Sequence, residues 1–135
     1  MTVQISDTFR QAGLAPQIAL AAGGKWIVYA GTKPTSTAAS LGAATELVRF
    51  NLGSPAYGAA EPDGSRLLAG TPLNANAGAT GTASFARLLS SADVVLLQGD
   101  ADISSGTNPA AVINLSSLSI ASGQTISLNY GAITQ

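Results

Sequence analysis

The sequence predicts a mainly all-β protein: an antiparallel β-sandwich or jelly roll of about eight short strands behind a short N-terminal helical segment. Three observations carry this expectation. From Lys25 onward, apolar residues alternate with polar ones or cluster in short β-branched and aromatic runs. Turn signals built on Gly, Pro, Asn and Asp interrupt these runs about every eight to twelve residues. No helical periodicity separates one run from the next, which argues against a parallel α/β sheet. At 135 residues the chain is expected to form one domain, with an arm and helical segment at 1–24 and the β-sandwich at 25–135.

The elements follow in order. Met1 to Ile5 is a short arm with Val3 and Ile5 on one side of an extended chain. Residues 6–22 read as helical, capped by Ser6 or Asp7 and broken near Gly13. Pro16 lies near the first turn of the second piece, and Gly23-Gly24 stops it. KWIVYAG, ending at Gly31, is aromatic and β-branched. TSTAASLGAA is a loop. TELVRFNL alternates, with Leu47, Arg49 and Asn51 against Val48, Phe50 and Leu52. GSPAYGAAEPDGS is a connection closing on the turn dipeptide Asp63-Gly64. Strands are then expected at RLLAGTPL, ATGTASFARLLS, VVLLQGDA, AAVINL, SLSIA and QTISLNYGAI. In the last, Ile126, Leu128 and Tyr130 share one side and Ser127 and Asn129 the other.

Charge and composition argue against several function classes. Only 10% of the residues are charged, against about 25% in an ordinary domain. The six basic residues, Arg10, Lys25, Lys33, Arg49, Arg66 and Arg87, are scattered. They form no stripe that could neutralise a phosphate backbone, so no direct nucleic-acid binding is expected. No apolar run approaches membrane-spanning length and none resembles a signal peptide, so no membrane contact is expected. There is no Cys for a disulfide or thiolate site, and no His for imidazole ligation or His-based catalysis.

The carboxylates are few. Asp100 and Asp102 in GDAD share a strand face and, with Asp93 or nearby Ser and Asn oxygens, have the chemistry of a Ca²⁺ site; a solvated strand end is the favoured reading. Glu61 and Asp63 sit too close in one turn for a glycosidase pair, and GATGTAS lacks the Lys and helix of a phosphate loop. No catalytic residue, cofactor or metal is therefore expected. Trp26, Tyr29 and Phe50 fit core positions, while Tyr57 fits either packing or an exposed contact. Arg49 and Arg87 interrupt apolar strands, as on an outward face or sheet edge; a partner's carboxylate is the alternative.

The last residues, 103–135, contain no Asp, Glu, Lys or Arg. Long uncharged strand-forming segments are an aggregation hazard unless their edges are closed or a partner covers them. Ile113, Leu115, Leu118, Ile120, Ile126 and Leu128 fit a sandwich core. The small polar positions Ser117, Ser119, Ser127 and Asn129 then decide whether the opposite face meets water or a partner.

KWIVYAGTKP, LVRFNLGSPAYGAA, ATGTASFARLLSSADVVLLQGDADI and INLSSLSIASGQTISLNYGAIT, in this order, resemble small β-rich proteins encoded beside the major capsid protein in many tailed bacteriophages. These include capsid cement, or decoration, proteins with a jelly-roll-like fold. The resemblance runs from about Gln17 to Thr134; Pro16 and the Leu89–Leu97 hairpin depart from it, the latter where a tighter Gly-containing turn is expected. It implies a structural protein on the capsid exterior of a virion, bridging neighbouring major capsid subunits, as a homodimer or other homo-oligomer. Val3, Ile5, Tyr57, Ser117, Ser119, Ser127 and Asn129 are the expected partner interface. A tail or head-appendage component, including a carbohydrate-binding β-sandwich, is the alternative, for which Tyr57 and Tyr130 are the available aromatics.

Overall fold

A computed structural model describes residues 20–37, 39–53, 57–60, 66–68, 73–103 and 111–133. The fold is mainly β, with no helix among the described residues. The strands are β1 (Lys25–Ala30), β2 (Thr45–Asn51), β3 (Tyr57–Ala60), β4 (Arg66–Leu68), β5 (Leu73–Asn76), β6 (Gly81–Thr82), β7 (Phe85–Leu89), β8 (Val95–Ile103), β9 (Ala111–Leu115), β10 (Ser119–Ile120) and β11 (Thr125–Ile133). Each of the eight strand runs read from the sequence holds a strand. The additional strands arise because RLLAGTPL spans β4 and the start of β5, ATGTASFARLLS spans β6 and β7, and Tyr57–Ala60 pairs within the expected connection. The expected helix falls almost entirely outside the described residues. Its last residues form a turn in which Gly24 N donates to Ala21 O (2.9 Å), and Gly23 adopts a left-handed φ of 69°, as a helix stop requires.

The strands follow the order β2-β1-β7-β8-β9-β11-β4-β3, with β5 also paired to β11. The path from β2 to β5 curls until its ends meet. Just beyond β5, Gly78 N donates to Leu47 O in β2 (2.8 Å). The two layers expected of a sandwich are thus opposite walls of one nearly closed sheet, a form that leaves few open edges. All strand pairs are antiparallel except β8–β9. Parallel neighbours normally need a long crossover. Here Asp100 is level with Ala111, so the chain leaving Ile103 has to return only about 10 Å along the strand direction.

The inward faces follow simple alternation. Trp26 and Val28 of β1, Ala86 and Leu88 of β7, Ile113 and Leu115 of β9, and Ile126 and Leu128 of β11 belong to one buried cluster. The charge-free C-terminal segment therefore supplies much of the core. One end of the barrel is closed by the β6–β10 ribbon, whose Ile120 is 2% exposed. At this end Ala83 N donates to Leu118 O (2.8 Å). At the other, Tyr57 is buried and its hydroxyl accepts a hydrogen bond from Trp26 Nε1 (3.1 Å).

Burial pushes the Tyr57 hydroxyl up to about 12, with the Trp26 bond acting weakly in the opposite sense. The folded protein keeps this proton where an unfolded tyrosine loses it near pH 10. Tyr57 thus contributes stability that is complete below about pH 10 and lost as the pH rises towards 12. Stability against urea should fall across this window, and the Tyr57→Phe variant should fall less steeply. Identical alkaline profiles would refute this role.

Candidate partner-binding surface

Strand β11 and its neighbours β5 and β9 carry no charged residue. Because Ile126 and Leu128 point into the core, Thr125 and Ser127 point outward beside Asn76 and Asn74 of β5, their cross-strand partners. Thr125 Oγ1 donates to Asn76 Oδ1 (2.8 Å) and Ser127 Oγ to Asn74 Oδ1 (2.5 Å). On the other flank, Ser127 N donates to Ser116 Oγ (3.0 Å) and Ser116 N to Ser127 O (2.9 Å). Both Asn side chains are oriented by accepting a hydroxyl proton, which leaves their NH₂ groups as donors. Asn74, Asn76, Ser116 and Thr125 are exposed and Ser127 is half-buried. The result is a short, ordered ladder of hydroxyls and amides.

Most of the described charges gather elsewhere. Lys25, Lys33, Glu46, Arg49, Arg87, Asp93, Asp100 and Asp102 lie on β1, β2, β7, β8 or the loops between them, while Arg66 lies on β4 opposite Ile133 of β11. Lys25 pairs with Asp93, Lys33 with Asp100 (2.8 Å) and Arg49 with Glu46 (2.7 Å). These exposed pairs contribute little to stability. The Lys25 ammonium holds the Asp93 carboxyl below the usual carboxylate range. Strands β5, β6, β9, β10 and β11 carry no charged residue. Among the described residues, charge is thus concentrated on the side of β1, β2, β7 and β8, and Arg66 is the one charged residue on a strand paired with β11.

The expected contact residues do not form one patch. Ser127 belongs to the ladder. Ser117 and Ser119 sit instead on the segment closing the barrel end, where Ser117 Oγ donates to Ser119 O (2.9 Å) and Ser119 pairs with Thr82. Asn129 occupies the register shift of β11 between Leu128 and Tyr130, and its side chain lies outside the described residues, as do Val3 and Ile5. Tyr57 is a correction: at 2% exposed it is a core residue, because its ring fills the barrel end under Trp26, and it offers no contact surface. Asn74 and Asn76 were not anticipated. Their signal was present in a second charge-free stretch, residues 67–86.

Arg49 lies on the outward face, as expected, whereas Arg87 is 5% exposed. Its Nε donates to Gln98 Oε1 (3.0 Å) and its Nη2 to Ala39 O (3.0 Å) and Ser36 O (3.4 Å). Arg87 too projects from the outward face, as expected, but is buried there because the β1–β2 loop folds across this part of the sheet. Asp100 accepts from Lys33, and Asp102 Oδ1 accepts from Ile103 N (2.8 Å). Asp93 lies at the opposite end of β8, roughly 20 Å from Asp100 at the usual strand rise. No group of three or more acidic residues among the described residues is arranged to hold a metal ion.

No protein-family model matches the chain. No curated protein and no solved structure matches it either.

Proposed function

We propose that the protein is a capsid cement protein, a structural component that binds the outer surface of a tailed-phage shell and bridges major capsid subunits. The observation that carries this reading is the segregation of charge, which leaves an ordered hydroxyl–amide face on β5 and β11. Interface cores are depleted in charge, and this face is depleted across several adjacent strands. Its hydrogen-bonded side chains are already oriented, so little side-chain entropy is lost when a partner docks. The resemblance of the sequence segments supplies the kind of partner. Burial of Tyr57 counts against the carbohydrate-binding alternative, which needs exposed aromatics.

Two measurements test the reading. In purified particles, the protein should approach the copy number of the major capsid protein; an appendage would be far scarcer. The double variant Thr125→Lys, Ser127→Lys should remain folded, losing about 1–2 kcal/mol from two exposed hydrogen bonds. It should nevertheless fail to decorate particles, because unpaired charge is costly to bury. A folded double variant that decorates at full occupancy would remove this face from the interface.

A further inference from the structure

We propose that residues 31–37 and 39–44 of the β1–β2 connection form a strap that opens as a unit independently of the barrel, with Arg87 and Gln98 as its latch. Gly31 and Ala44 are close neighbours, a Cβ on Gly31 falling 3.3 Å from Ala44 Cα. The strap is thus a compact loop with adjacent ends. Near those ends Gly31 (φ 116°) and Gly42 (φ 61°) hold conformations that glycine adopts readily, as hinges that absorb backbone rotation require.

The strap lies over a second apolar cluster on the outer sheet face, separate from the barrel core. Ile27, Tyr29, Phe85 and Leu89 form it, and Leu41 and Ala44 of the strap pack against it. The rings of Tyr29 and Phe85 stack at 5.1 Å. Few strap side chains reach this cluster; polar ties hold the rest. Gln98 Nε2 donates to Pro34 O (2.8 Å), Ser84 Oγ to Gly31 O (2.6 Å), and Arg87 to Ser36 O and Ala39 O. Lys33 adds an exposed ion pair to Asp100.

The latch weakens closure. The acceptors of Arg87 are all neutral oxygens, and a desolvated guanidinium in such a cage carries a penalty that its hydrogen bonds only partly offset. Opening returns the cation to water and breaks no strand pairing. The barrel core, by contrast, cannot open without losing its sheet. The strap therefore belongs to the low-stability part of the molecule and controls access to the apolar face of β1 and β7.

The chain has no cysteine, so an Ile27→Cys variant places a single thiol beneath the strap. Its reaction with a soluble disulfide reagent should proceed in native buffer at a rate nearly independent of low urea concentrations. Adding Arg87→Ala, which removes every latch donor on that residue, should speed the reaction about tenfold or more. Adding Leu128→Ala, which destabilises only the barrel, should leave the low-urea rate unchanged. The proposal is overturned if labelling rises steeply with urea from the outset, if Leu128→Ala accelerates it in proportion to lost global stability, or if Arg87→Ala leaves it unchanged.

Discussion

Replacing Trp26 by Ala should destabilise the protein by about 3–5 kcal/mol, lowering the thermal midpoint by roughly 10 °C or more for a domain of this size. Trp26 is 1% exposed and is the largest fully buried side chain. It also orients Tyr57, so the substitution removes ring volume and leaves the Tyr57 hydroxyl without its donor. The two effects can be separated. Tyr57→Phe keeps the ring and removes only the acceptor of Trp26 Nε1, a loss of about 1–3 kcal/mol for a buried donor left unpaired. Urea denaturation of both variants checks the order. A Trp26→Ala cost at or below that of Tyr57→Phe would mean that the barrel end collapses around the cavity or that the two rings do not pack as described.

The second large effect is expected at Gly24. A Cβ there would fall 2.1 Å from Leu89 O, 3.0 Å from Ala21 O and 3.2 Å from Leu89 C. These are backbone atoms, so no rotamer change relieves the overlap. Gly24 O also accepts from Leu52 N (2.9 Å), tying the turn to the end of β2. Gly24→Ala must push this turn away from the end of β7 and should cost about 1–3 kcal/mol or more, as overpacking does. Gly78 provides the control: nothing lies within 4 Å of its added Cβ. Gly78→Ala should change stability by no more than about 0.5 kcal/mol. Equal stabilities for the two variants would contradict the close approach at Gly24.

Much of the fold was legible in the sequence because strand formation here rests on a local signal. In TISL the apolar side chains recur with the two-residue period of a strand, and Ile126 and Leu128 are both fully buried. The same alternation placed Trp26 and Phe50 inward. The candidate surface was legible in part. Absence of charge in the C-terminal run pointed to Ser127, whereas Asn74 and Asn76 lie in a second, shorter charge-free stretch, residues 67–86. Linear order concealed that these two charge-free stretches are neighbours, joined by the β5–β11 pairing.

By itself, the sequence determined the all-β class, the strand positions, the inward side chains of the main strands and the scarcity of charge, all properties set within a few residues. The tertiary structure decided which strands meet. It curled the sheet until β5 faced β2, paired β8 with β9 in parallel, drew Tyr57 into the barrel end and buried Arg87 beneath a loop. None of these follows from periodicity, because each depends on groups distant in the chain. Arg87 has the same local pattern as the exposed Arg49, an arginine flanked by apolar residues in a strand. What separates them is the loop from Gly31 to Ala44, whose carbonyls meet one guanidinium, while the other bonds to Glu46 in solvent.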